Sequence, residues 1–151
     1  MTVRVGTEDF DIGAEIAALS AGRTDIGAVV SFTGLVRGEA GATQIAALEL
    51  EHYPGMTEAA LSEIEAEARR RWPLQEVLIL HRVGRLAPGA RIVLVVTASA
   101  HRGAAFEAAE FIMDYLKTRA PFWKKEATPE GGRWVDARDT DAAAEARWRI
   151  E

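Results

Sequence analysis

Of the eighteen Lys and Arg residues in this 151-residue chain only three are lysines, Lys117, Lys124 and Lys125, and all three fall within nine residues. Arginine carries the positive charge everywhere else. An ε-ammonium can lose its proton, work as an acid or base, or attack a carbonyl, whereas a guanidinium stays charged. The stretch KTRAPFWKKE at 117–126 is therefore the first place to look for chemistry. Two readings stay open on spacing alone. In one, the stretch is a solvated basic loop, and Lys117 pairs weakly with Asp114 one helical turn earlier. In the other, the apolar bodies of Tyr115, Phe122 and Trp123 desolvate an amine and lower its pKa. A turn at Pro121 then folds Lys124 back beside Lys117, so that each amine depresses the other's protonation.

A second constellation is SAHR at 99–102, which ends a strand and opens a helix. Backbone N–H groups at a helix start favour anions, Arg102 adds a phosphate-shaped fork, and His101 can bond the same anion or move a proton. The alternative is a capping histidine with a surface arginine. Arg37, after a strand and before a Gly-rich loop, is a further anion clamp or else an exposed loop arginine. That loop lacks the GxxxxGK[ST] pattern of a nucleotide-binding P-loop. His52 and His81 read as structural residues beside aromatics, and Arg69, Arg70 and Arg71 as the cationic end of a helix.

Bulk properties narrow the classes. A net charge of −5 argues against non-specific nucleic-acid binding, so an anionic ligand needs a local basic patch. The absence of cysteine removes disulfides, thiolate metal sites and a cysteine nucleophile. Three widely spaced histidines offer no metal-ligand pair. The start has no apolar leader core and no later run reaches membrane-spanning length, so a soluble cytoplasmic protein is expected.

The elements that must hold these residues follow from periodicity and punctuation. A short strand at 3–5 precedes a helix at 12–21 capped by Asp11, with Ile12, Ile16 and Leu19 on one face. Strands at 26–36 and 44–51 flank the Gly-rich loop and read as a hairpin. A helix at 57–71 carries Met56, Ala60, Leu61, Ile64 and Ala68 as its apolar stripe and stops at Pro73. Strands at 76–83 and 91–98 lead into a helix at 103–119 lined by Phe106, Ala109, Met113 and Leu116. Short strands at 122–127 and 133–137 follow, and the tail at 139–151 is a short helix or a flexible end. One α+β domain over 1–151 is the economical reading.

Several blocks in one order resemble the MoaE family, the large catalytic subunits of molybdopterin synthase. They are FTG at 32–34 with VR at 36–37, LEHYPGM at 50–56, SAHR at 99–102 and FIMDYLKTRAPFWKKE at 111–126, extended by ATPEG at 127–131 and WVDAR at 134–138. The resemblance implies an α/β-hammerhead-like fold with an added small antiparallel sheet. It implies transfer of sulfur from the C-terminal Gly-Gly thiocarboxylate of a small ubiquitin-like subunit to cyclic pyranopterin monophosphate, twice, to give the dithiolene of molybdopterin. A non-catalytic docking module for such a tail is the alternative. No resident cofactor is implied, because the substrate is itself a cofactor precursor. A sulfurtransferase without cysteine must receive its sulfur from elsewhere, which agrees with the composition.

Carried over residue by residue, the resemblance makes Lys117 and Lys124 catalytic. It places Val36, Arg37, His101, Arg102, Lys125, Glu126 and Arg138 around the substrate, and Phe32, Met113, Phe122 and Trp123 around the partner's tail. Leu35 departs from relatives that carry lysine there. Arginine is acceptable at position 125, so Lys125 is expected to supply charge and Lys124 chemistry. Fifteen residues of one helix separate Arg102 from Lys117, roughly 22 Å at 1.5 Å rise per residue, too far for one small substrate. A homodimer core with composite sites, inside a heterotetramer, is therefore expected.

Overall fold

The computed structural model describes residues 2–40, 43–128, 131–135 and 139–149. Strand β1 (Val3–Gly6) leads to helix α1 (Ile12–Ser20), where Asp11 accepts from the Ala14 N–H at 3.0 Å as the expected cap. Strand β2 (Ala28–Leu35) is followed by the two-residue strands β3 (Glu39–Ala40) and β4 (Thr43–Gln44), then β5 (Ala47–His52) and helix α2 (Met56–Arg71). Strands β6 (Leu74–Arg82), β7 (Gly84–Leu86) and β8 (Arg91–Ser99) precede the long helix α3 (Arg102–Arg119). Strands β9 (Phe122–Thr128) and β10 (Gly131–Val135) and helix α4 (Asp139–Ala146) complete the order.

Two four-stranded sheets organise these elements. The first runs β1-β6-β8-β2, with β1 parallel to β6 and the other pairs antiparallel. Both of its faces are covered, which explains the near-continuous apolar runs of β6 and β8. Val77, Ile79, Val93 and Val95 pack against Leu61 and Ile64 of α2 and Phe111, Ile112 and Leu116 of α3. The alternate residues Leu78, Leu80, Leu94 and Val96 meet Phe10, Ile12, Ile16 and Leu19 on the α1 side. The second sheet runs β10-β9-β5-β7, all antiparallel, and closes a core of Val36, Leu48, Leu50, Val83 and Leu86. Val5, Ile92 and Phe122 touch both this core and the α2/α3 core. The expected α+β class with a small additional antiparallel sheet is borne out.

Several expectations need correction. Strands β2 and β5 do not form a hairpin: β2 pairs with β8, and β5 pairs with β7 and β9. The Gly-rich loop instead folds into its own β3–β4 pair, and a register shift at Gly34/Leu35 ends β2. Leu48 and Leu50 are then buried in the second core, which a β2 pairing would have denied them. Met56 and Phe106 lie outside the apolar stripes and are exposed, while Thr57 and Ala105 take buried places. Strand β7 is not among the expected elements, its three residues being too short to show alternation. Of the two alternatives for the tail the helical one holds: α4 ends at Ala146, and the residues after it stay docked as far as residue 149. Arg147 bonds Glu110 and Asp114, and the Trp148 indole donates to Asp114 at 2.6 Å while packing on the α2/α3 core.

Candidate active site

Between the two sheets lies a cleft of about 380 Å³, and the end of α3 and the start of β9 deliver both singular lysines into it. Lys117 occupies the last turn of α3, where the helix dipole favours a cation. The chain then turns at Pro121, and strand alternation does the rest: Phe122, Lys124 and Glu126 face the cleft. The intervening Trp123 and Lys125 point to the opposite face of β9. There Trp123 meets the Tyr53 ring edge-on at 4.2 Å, and the Lys125 ammonium sits 5.6 Å from the centre of the Trp134 ring.

The turn between the lysines is fixed by Thr57, whose bonding has no sequence signal. Thr57 is fully buried; its hydroxyl donates to the Pro121 carbonyl at 3.0 Å and accepts from the Tyr53 N–H at 3.1 Å. One side chain thus ties the end of β5, the start of α2 and the Pro121 turn together. Only its predicted helical position, not its bonding, showed in the sequence.

Across the cleft stand Val36 and Arg37, beyond the irregular end of β2. Val36 donates to the Ala90 carbonyl at 2.9 Å and accepts from the Gly89 N–H at 2.7 Å, which pins the segment to the turn before β8. Gly34 is required for this approach: a Cβ there would lie 2.8 Å from a Val93 methyl. Phe32, Leu35 and Met113 supply apolar wall, with Phe32 and Leu35 partly open to solvent. Asp141 of α4 also lines the cleft. An otherwise acidic chain therefore gathers Arg37, Lys117 and Lys124 in one recess, opposed by Glu126 and Asp141.

His81, expected to be structural, is in fact in the cleft wall. Its ring stacks on Phe122 at 3.8 Å and 18°, and its Nδ1 lies 2.7 Å from the Arg82 carbonyl. Burial above all, assisted by the nearby Lys117 and Lys124 ammonium groups, pulls its pKa down to about 3 against the opposing bond to Arg82. The imidazole is neutral at neutral pH. The stacking on Phe122, 41 positions downstream, carries no sequence signal.

The other expected residues separate. Tyr115 is buried against Phe111 at 4.1 Å with the Arg119 guanidinium 3.9 Å over its ring, so it does not desolvate Lys117. Asp114 is occupied by Arg147 and Trp148, and among the described residues no carboxylate pairs with Lys117. His101 and Arg102 are exposed at the far end of α3, beside Gly27 and Ala28 in a separate recess. Gly27 is necessary there, since a Cβ would lie 2.1 Å from the Ala100 carbonyl oxygen. Trp123 and Lys125 are outside the cleft, and Arg138 lies outside the described residues. One copy of the chain brings together Lys117, Lys124, Arg37, Val36, Glu126, Phe32, Met113 and Phe122, without His101 and Arg102.

Comparison with known proteins fits this arrangement. The family described as "MoaE protein" matches residues 5–119. This chain belongs to the MoaE family. A MoaE relative from Mesorhizobium japonicum, named molybdopterin synthase catalytic subunit, is 62% identical over 150 residues, covering 98% of this chain and 93% of its own. The protein of the same name from Escherichia coli is 60% identical over 144 residues, covering 95% of each chain. Among solved structures, the MoaE protein from Burkholderia ambifaria has a TM-score of 0.85 at 61% identity, over 99% of both chains. Molybdopterin synthase from Staphylococcus aureus has a TM-score of 0.81 at 32% identity, over 87% of this chain and 95% of that one. No helix among the described residues is long and apolar enough to cross a membrane.

Proposed function

We propose that this chain is the catalytic subunit of molybdopterin synthase, moving sulfur from the thiocarboxylated Gly-Gly end of a small ubiquitin-like partner onto cyclic pyranopterin monophosphate in the cytoplasm. The observation that carries the reading is the convergence of Lys117, Lys124 and Arg37 on one recess in a cysteine-free MoaE protein. The thiocarboxylate sulfur bonds a side-chain carbon of the pterin as an oxygen leaves that carbon. Water then cleaves the resulting thioester, returning the partner's carboxylate and leaving the sulfur on the pterin. Both halves need a proton delivered to a departing oxygen or drawn from water, work suited to lysines in a partly apolar recess. Arg37 meets the phosphate as a fork. Phe32, Met113 and Phe122 form an apolar wall along which only a glycine tail passes without side-chain clash.

The phosphate clamp at His101 and Arg102 completes the site from a second copy of the chain, in a homodimer that carries one small partner at each end. The roughly 22 Å that one helix puts between these clusters supports this arrangement. A Cα-only tail passing the apolar wall also sets its own test. Extending the partner by one residue beyond Gly-Gly before thiocarboxylation should abolish molybdopterin formation in a reconstituted assay with the pyranopterin. Equal turnover with the longer tail would remove the threading, and no turnover with the normal tail would remove the function itself.

A further inference from the structure

Strand β2 is an open edge of the first sheet. Among the described residues it pairs with β8 alone, so the polar backbone groups on its outer side meet no other strand. It also leaves Val29, Phe32 and Leu35 exposed, and an open apolar edge of eight residues is a template for pairing with another chain. Helix α3 packs along this strand. Ala28 opens β2 beside Arg102 in the outer recess, while Phe32 and Leu35 meet Met113 and Lys117 in the cleft. Strand and helix thus run side by side from one cluster to the other. Spacings of four, seven and four put Arg102, Phe106, Met113 and Lys117 on one face of α3, within roughly 60° at 3.6 residues per turn. Phe106 stands exposed within that stripe.

We propose that this band, the free edge of β2 with the Arg102–Phe106–Lys117 stripe of α3, is the surface a second copy of the chain covers, by antiparallel β2–β2 pairing. This rests on the two-copy site proposed above. Two lengths read independently support it. The midpoint between Arg102 and Lys117 lies about 11 Å along the helix from Arg102. Ser31 lies three residues along β2 from Ala28, about 10 Å. The two midpoints are therefore level, and one two-fold axis serves both elements. An axis through Ser31, normal to the sheet, sets β2 antiparallel to its mate with Ser31 opposite itself, which keeps every side chain on its own face. The same rotation carries the start of α3 to the end of the mate's α3, where Arg102 must go to meet Lys117. The two four-stranded sheets become one, with the apolar residues of the band inside the joint and the charged clusters at its ends.

The chain has no cysteine, so single substitutions report cleanly. Ser31→Cys on the axis brings two Cα atoms to about 4.5–5.5 Å, inside disulfide range, and should give a covalent dimer on mild oxidation. Ser62→Cys, exposed on α2, should not. Phe106→Glu and Met56→Glu compare two side chains of similar exposure, 60% and 65%, only the first of them in the band. Sedimentation equilibrium should show the dimer dissociation constant raised about a hundredfold by Phe106→Glu and unchanged by Met56→Glu. Sulfur transfer by Phe106→Glu should fall in step with its dimer content and recover at protein concentrations where dimers form again. A dimeric chain in which Ser31→Cys stays unlinked, or a Phe106→Glu chain that dimerises as tightly as Met56→Glu, puts the interface elsewhere and overturns the proposal while leaving the composite site intact. A monomeric wild-type chain removes both. If adding the small ubiquitin-like partner blocks the Ser31→Cys disulfide, the edge belongs to that partner and the assignment fails. A linked Ser31→Cys dimer without sulfur transfer would sink the proposed function and leave the interface standing.

Discussion

At the scale of single residues, the strand alternation of β9 separates two adjacent lysines into different jobs. Lys124 faces the cleft with Lys117, and Lys125 lies against Trp134 outside it. Lys117→Arg should keep the fold and partner binding yet lose nearly all sulfur transfer, roughly 10²-fold or more, because a guanidinium cannot titrate. Lys124→Arg should be severely impaired and Lys125→Arg mild. Turnover of the reconstituted synthase reads all three, and near-normal Lys117→Arg would reduce that residue to a charge. His81 adds a signature in stability. Its pKa is lowered from 6.5 to about 3, so the unfolded chain binds the proton first and the native state is favoured above that window. The contribution is complete above about pH 6.5 and is lost as pH falls toward 3, at up to ~1.4 kcal/mol per unit. Denaturant melts at pH 7 and pH 4.5 should show a smaller loss in His81→Phe than in the wild type; equal losses would mean the ring is not held neutral. The lysines were legible because residue type and clustering are properties of sequence. The place of His81 was not, because its stack on Phe122 in the cleft wall joins strands far apart in the chain.

At the scale of elements, local signals read well and pairing read poorly. Helix α1 begins at its Asp11 cap, α2 and α3 stop before Pro73 and Pro121, and β6 and β8 show as apolar runs, all visible in composition and punctuation. The β2–β5 hairpin failed because adjacency in sequence says nothing about which sheet will cover Leu48 and Leu50. The latch at Thr57 was invisible for a similar reason: its partner carbonyl at Pro121 is 64 positions away. Thr57→Val keeps the shape but strands the Tyr53 N–H and the Pro121 carbonyl, at a cost of about 1–3 kcal/mol. Thermal melts should register that loss, and Thr57→Ser should restore most of it. Because the Pro121 turn sets the spacing of Lys117 and Lys124, kcat of the Val variant should fall as well. A destabilised variant with full kcat would show that the latch supports the fold without aligning the lysines.

At the scale of the whole molecule, helix α3 is the measuring rod. It presents Lys117 to the cleft at one end and leaves His101 and Arg102 in a separate, exposed recess at the other. That separation was legible from the sequence as a length, since rise per residue is fixed once the helix is accepted. A two-fold arrangement that lays the start of one α3 near the end of its mate's gives two complete sites per dimer. The most direct measurement mixes two chains, Arg102→Ala and Lys117→Ala, each inactive alone, and assays sulfur transfer after subunit exchange. With random exchange half the dimers are mixed and each holds one intact site, so the composite site predicts recovery of about a quarter of wild-type activity. No recovery, with exchange demonstrated, would contradict it and place both clusters' work within a single chain.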